Sequence, residues 1–218
     1  MAVVVFHGSG RTLPVGKILC LGHNYREHAR EMGSPEEELP VVFLKPASAV
    51  IHDGGEVVIP DFSEEAHHEV ELVVVIGEGG RCIPEEQALA RVAGYAVGLD
   101  MTLRDVQARA KQAGHPWTIA KGFDTSAPLS RAVERSRVSD PHALEMTLRV
   151  NGVVRQHAHT GEMILRIDRT LAYLSTVFTL EPGDLVFTGT PAGVGRVVSG
   201  DVLEAEITEV GALIVRVR

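Results

Sequence analysis

The run His67-His68-Glu69-Val70-Glu71-Leu72-Val73-Val74-Val75-Ile76-Gly77 constrains this chain more than any other stretch. Apolar and β-branched residues surround Glu71 and Gly77 closes the run, so it predicts a buried β-strand over 69–76. Side chains alternate faces along a strand, which puts Glu69 and Glu71 on the same side, roughly 7 Å apart. That face continues into Val73 and Val75, while Val70, Leu72, Val74 and Ile76 fill the other. Two carboxylates thus sit on a face that sinks into a pocket otherwise lined with hydrocarbon. Like charges there are costly unless a proton or a cation neutralises them. A hard divalent cation is one answer, because carboxylate oxygens are the ligands that Mg2+, Mn2+ and Ca2+ prefer. The solvent face of a strand near a sheet edge is the other.

A chain of 218 residues is long enough to bury a sizeable core as one large domain. With no repeat, low-complexity tract or linker in it, the sequence predicts a single domain over 1–218. The net charge of −8, from 29 acidic residues against 21 Lys and Arg, is spread along the chain and argues against a nucleic-acid surface. Nothing approaches the apolar length of a membrane span, and Ala2 to Phe6 is too short for the core of a signal peptide. Cys20 and Cys82 make neither a disulfide framework nor a zinc motif, and the expectation is two buried thiols in a reducing cytoplasm.

Strands are expected at 2–6, 15–21, 41–44 and 57–59, with a turn at 52–55. Between Gly22 and Gly33 the residues read as a short helix with Asn24 as its N-cap and Gly33 just beyond its end. His28 and Glu31 then share a face. The proline-bracketed polar stretch after it, 34–40, has the composition either of a mobile flap (24–40 in all) or of a solvated surface segment. A strand at 94–99 delivers Asp100 at its C-terminal end, and Thr102 with Asp105 suggests the cap of a helix running to Ala113. Arg104 and Gln107 fall near the start of that helix. Lys121 is the one lysine of an apolar segment holding the single Trp117, either a buried functional ammonium or a snorkelling surface one. Asn151-Gly152 marks a hairpin, and 168–178 an amphipathic helix with Leu171, Leu174 and Val177 inward. Gly189 to Gly195 is a glycine-rich loop without the Lys-Ser/Thr ending of a P-loop; its N–H groups could cradle a small carboxylate.

Six segments in order now carry a resemblance: G-x-N-Y-x-x-H-A-x-E-M-G (22–33), F-L-K-P (43–46), H-H-E-V-E-L-x-V-V-I-G (67–77), G-L-D-M-T-L-R-D-V-Q (98–107), P-W-T-x-A-K-x-F-D (116–124) and T-G-T-P-A-G-V-G (188–195). From about Lys17 to the C-terminus the chain resembles the fumarylacetoacetate hydrolase family, and within it the short branch of acylpyruvate hydrolases and oxaloacetate decarboxylases. The resemblance implies an α+β, mainly β fold, a mixed β-roll of several small sheets with short peripheral helices, normally as a homodimer. It also implies a metal triad of Glu69, Glu71 and Asp100 for Mg2+ or Mn2+, with Ca2+ as a substitute, and a catalytic dyad of His28 and Glu31 carried by the flap. Lys121, Gln107 and Arg104 match residues that hold the substrate's oxygens, and Thr190 matches a contact to its carboxylate.

The implied substrates are small 2,4-dioxo acids or oxaloacetate. In the hydrolase reading His28 activates water against the distal carbonyl, and pyruvate leaves as an enolate whose charge the metal and Lys121 share. In the decarboxylase reading carbon dioxide leaves and the same enolate forms. An isomerase or decarboxylase of longer unsaturated dioic acids is the alternative within the enzymes, and a non-catalytic keto-acid or metal-binding protein the alternative outside them.

Overall fold

The computed structural model describes residues 2–31 and 41–218. Gly33 and the 34–40 segment, and with them most of the expected flap, lie outside the described residues. The architecture is the expected one of several small sheets with short helices around them. The largest sheet runs, by neighbour, through Val41–Lys45, Ile18–Gly22, Leu185–Phe187, Val70–Ile76, Val92–Leu99, Ala127–Leu129 and Val50–His52. A five-stranded sheet pairs Val153–His159, Glu145–Val150, Val202–Ile207, Gly211–Val217 and Glu56–Val57. A three-stranded sheet places Ala66–His68 between Thr102–Leu103 and Gly195–Val197.

Val70–Ile76 is paired along both edges inside its sheet, and a core packs on each of its faces, so all seven residues are buried. Val70, Leu72, Val74 and Ile76 enter the larger core, together with Met146, Leu148, Leu203 and Leu213 of the five-stranded sheet. Val73 and Val75 face a smaller core with Phe6, Ile18, Leu185 and Phe187. Burying each such side chain is worth about 1.5–3 kcal/mol, so this strand is anchored twice over. The expected strand is interrupted at its first residue. Glu69 belongs neither to Ala66–His68 nor to Val70–Ile76, and the break lets the chain leave one sheet and enter another.

The hairpin at 151–152 is present, with Asn151 at φ 51° and Gly152 at φ 78°, the left-handed pair that a two-residue type I′ turn demands. Three local expectations fail. Val177 is 55 % exposed; the inward face of Ile167–Val177 is made by Ile167, Thr170, Leu171, Leu174 and Ser175. Cys20 is buried but Cys82 is exposed, since 82 falls in a turn rather than a strand. Thr102 is a strand residue with its hydroxyl turned inward, and Leu103 stands at the cap of Arg104–Ala113, whose other end closes on Gly114 in the left-handed region. Among the described residues no helix is long and apolar enough to cross a membrane.

Candidate metal centre and cleft

Glu69 and Glu71 do share one side of the chain, and pairing across the sheet adds the third acid. Val70 lies opposite Leu99 and Glu71 opposite Gly98, so Asp100 is carried to Glu69, and its N–H donates to the Glu69 carbonyl at 2.8 Å. One carboxylate oxygen from each of Glu69, Glu71 and Asp100 falls within 4.8 Å of the others. The three residues are 4 %, 1 % and 1 % exposed, which excludes the solvent-face reading of the E-x-E pair.

The surroundings are not hydrocarbon, as the sequence led us to expect, but cationic. Lys121 is buried; its ammonium donates to Glu69 Oε2 at 2.8 Å and to Asp100 Oδ2 at 2.6 Å. Arg104 reaches Glu69 Oε1 at 2.5 Å and donates to Gln107 Oε1 at 2.7 Å, and the Thr102 hydroxyl adds a bond to Glu69 Oε1 at 3.1 Å. Lys45 stands on the far side of Asp100, 2.7 Å from Oδ1. Its ammonium also donates to the carbonyls of Met101 (3.2 Å), Ser126 (3.0 Å) and Lys121. Lys45 was visible only as a letter of the F-L-K-P segment. No local pattern marks a lysine in an edge strand as a buried one, because its partners come from residues 55 or more positions away.

These contacts divide the carboxylates. Burial would raise the Glu69 pKa, but the charges of Lys121 and Arg104 outweigh it and hold the group well below the usual range. Glu71 is pushed well above that range by burial first and then by the Asp100 and Glu69 charges. The one hydrogen bond it accepts among the described residues comes from Gly189 N–H at 2.7 Å. Gly189 adopts φ +96°, and a Cβ there would stand 2.7 Å from that of Asn24, so the close approach requires glycine. Lys121 stays protonated: burial lowers its pKa, yet Asp100 and Glu69 raise it further than that.

His28 and Glu31 lie on Arg26–Glu31, with His28 Nδ1 3.2 Å from Glu31 Oε2. Glu31 accepts from Gly193 N–H at 3.3 Å, so the glycine-rich loop is tied to the helix that carries the dyad. Asn24 does not cap that helix. Its amide donates to the carbonyls of Leu165 and Thr188, and its Oδ1 accepts from Leu165 N–H at 2.7 Å, fastening the 22–25 turn to two distant segments. The Thr190 hydroxyl is also engaged, donating to the Val70 carbonyl at 2.8 Å and accepting from Gln156 Nε2 at 2.8 Å. One cleft gathers His28, Glu69, Arg104, Gln107, Lys121 and Thr190; Glu71 and Asp100 lie beneath it and Glu31 beside it. Leu21, Gly22, His23, Phe43, Lys111 and Trp117 complete its walls, and to none of these did sequence reasoning assign a role in the site.

Three buried carboxylates converging beneath a cleft, one of them paired with no cation among the described residues, are a donor set that fits a hard, oxygen-ligated divalent ion. The fold and this site define a mainly-β protein with an acidic metal-type centre. More particularly, the chain belongs to the fumarylacetoacetate (FAA) hydrolase C-terminal family, whose profile matches residues 17–218. It is 46 % identical over 201 residues to oxaloacetate tautomerase FAHD1, mitochondrial, of Mus musculus, covering 92 % of this chain and 91 % of that one. Its structure superposes on the crystal structure of fumarylpyruvate hydrolase from Pseudomonas aeruginosa in complex with Mn2+ and pyruvate with TM-score 0.96 and 46 % identity, over 99 % of this chain and 95 % of that one. The 5-carboxymethyl-2-hydroxymuconate delta-isomerase from Mycobacterium smegmatis gives TM-score 0.84 and 35 % identity, over 96 % and 85 %.

Proposed function

We propose that this protein is a divalent-metal-dependent enzyme that hydrolyses a C–C bond in small 2,4-dioxo acids of the acylpyruvate or fumarylpyruvate type. The observation that carries this reading is the buried triad of Glu69, Glu71 and Asp100 beneath a cleft that also holds His28 and Lys121. Glu69, Glu71 and Asp100 would hold Mg2+ or Mn2+, with Ca2+ as a substitute. A cation bound there supplies Lewis-acid polarisation and a fixed orientation for the 2-oxo-carboxylate end of the substrate.

The chain's own groups do the rest. Glu31 faces His28 Nδ1, so that nitrogen carries the proton and Nε2 is left to act as a base. His28 Nε2 takes a proton from water, whose oxygen bonds to the distal acyl carbon. The bond from that carbon to C3 of the pyruvyl part then breaks, its electron pair leaves with pyruvate as the enolate, and a proton delivered to C3 completes pyruvate beside the released acid. Lys121, kept protonated by its two carboxylates, meets the charge that develops on the enolate. Arg104 and Gln107, already bonded to each other, present donors to the substrate's oxygens. With its hydroxyl engaged, Thr190 would meet the carboxylate through its main-chain N–H. Closure of the 24–40 segment over the cleft, a homodimer, a single catalytic domain and cytoplasmic residence belong to the same reading.

The name of the mouse relative favours a second reading, proton transfer at C3 of oxaloacetate with or without loss of carbon dioxide. The same base and ammonium serve it without water attack. The muconate isomerase likeness favours a third, proton transfer along a longer unsaturated diacid. The deciding assay offers fumarylpyruvate, oxaloacetate and an unsaturated hydroxy-dioate to the Mn2+-loaded protein and follows pyruvate, carbon dioxide and enol absorbance. Fumarylpyruvate cleavage is expected, and Lys121→Met should damage it together with any oxaloacetate reaction. Turnover of oxaloacetate or the dioate alone would replace the hydrolase reading.

A further inference from the structure

We infer that Lys111, held at the outer end of an aromatic ledge, receives the second carboxylate of the substrate and makes the site selective for two-acid over one-acid 2-oxo compounds. The inference deepens the function proposed above and rests on it for the placement of the 2-oxo end. The ledge is made by Phe43 and Trp117, whose ring centroids lie 5.9 Å apart and whose planes are tilted by 58°. At its inner end the Lys121 ammonium sits 4.9 Å from the Phe43 centroid. At its outer end the Lys111 ammonium sits 5.1 Å from the Trp117 centroid. One wall of the cleft thus carries a positive charge at each end and an apolar stretch between them.

The two ends are not equivalent. Lys121 is buried and neutralised by Glu69 and Asp100. Lys111 is exposed on the helix Arg104–Ala113, and among the described residues no carboxylate pairs with it. The aromatic face of Trp117 is what positions its head. Partial desolvation lowers the Lys111 pKa, and the Arg104 and Lys121 charges lower it further. An arriving carboxylate relieves both penalties. His23, which also lines the cleft, cannot play this part. Burial first, then the charges of Lys111 and His28, lower its pKa to about 4, so it is neutral at ordinary pH. A substrate lying along the ledge with its 2-oxo-acid end at the triad therefore meets on its way out, in Lys111, an ammonium that pairs with no carboxylate among the described residues.

The test is equilibrium binding, by calorimetry with Mn2+ present, of two unreactive 2-oxo acids of equal chain length. 2-Oxoglutarate ends in a carboxylate and 2-oxopentanoate in a methyl group. The wild-type protein should prefer 2-oxoglutarate by about tenfold, the scale of one hydrogen bond to a charged group. Lys111→Met should bring the ratio to about one, and Lys111→Arg should keep most of it. Lys111 is exposed, so a thermal melt should show the folded state unaltered in both variants. A wild-type ratio near one, or a ratio that survives in Lys111→Met, overturns the inference, as does failure of 2-oxoglutarate to bind. Absence of acylpyruvate turnover alongside a Lys111-dependent ratio would instead remove the hydrolase reading and leave the carboxylate receptor in place.

Discussion

Glu69 and Glu71 are two residues apart on one side of one chain segment, and the protein treats them in opposite ways. Glu69 is held by Lys121, Arg104 and Thr102, and its pKa falls. Glu71 accepts one backbone hydrogen bond, and its pKa rises. The difference lies in what each oxygen meets across the sheets. Glu69 stands at the break between two strands, open to the helix and the turn that bring cations. Glu71 lies inside the strand against Gly98 and the Gly189 turn, where its neighbours are two like-charged carboxylates and the hydrogen bond it accepts comes from backbone. A charge-balanced acid beside an uncompensated one gives a site that is already folded around its ligands and still gains from a cation.

The asymmetry is tested most severely by loss of turnover. Chelation with EDTA, or Glu71→Gln, should abolish activity, and Mn2+ should restore the chelated wild-type protein but not the variant. Full activity in the stripped protein would remove any need for the triad. Next, His28→Ala bonds to neither carboxylate and should lower kcat by about 10²–10⁴, the range for loss of a general base, while Mn2+ binding measured by calorimetry persists. A matching loss of metal affinity would mean that the dyad shapes the centre rather than serving the substrate.

Stability in EDTA sharpens the contrast. Glu69→Gln strands part of the charge of Lys121 and Arg104 and should cost about 3 kcal/mol in urea unfolding, as breaking a buried pair does. Glu71→Gln keeps an oxygen for Gly189 N–H and removes the stressed acid, so its change should stay below about 1 kcal/mol. Equal costs would refute the asymmetry. The smallest effect is on pH. A carboxyl group whose folded pKa lies above its ordinary 4.5 lends stability at low pH and loses it as pH rises through the folded value. Stability in EDTA should therefore decline above pH 4.5 through Glu71, and Glu71→Gln should flatten that decline. Glu69 contributes the reverse slope, lost as pH falls below 4.5.

Much of the centre was legible in the residue order. The two-residue period of a strand fixed the common side of Glu69 and Glu71, and hydrophobicity on both flanks pointed to burial of that side while leaving a solvent-facing edge open. The side-chain bond between His28 and Glu31 follows from a three-residue spacing on a helix. Where the reading failed, the partner was non-local. Asn24 looked like a cap because the residues after it are helical, yet its amide serves Leu165 and Thr188. Thr102 looked like a cap for the same reason, and its hydroxyl serves Glu69. Val177 continued the helical stripe of Leu171 and Leu174, but it is Phe178, just past the end of that helix, that packs against the core while Val177 is exposed.

Which acids are present, that two of them face one way, that the strand after them is apolar on both faces, and the family resemblance can all be read from the order of residues alone. It took the folded chain to show that Asp100 meets Glu69 rather than solvent, that Lys45, Lys121 and Arg104 surround acids whose setting looked apolar, and that Phe43 and Trp117 carry an ammonium at each end. Periodicity along a chain fixes direction through bond geometry. The neighbours a side chain finds are set by register between strands and by loops that return from far away, and a charge takes its energy from those neighbours.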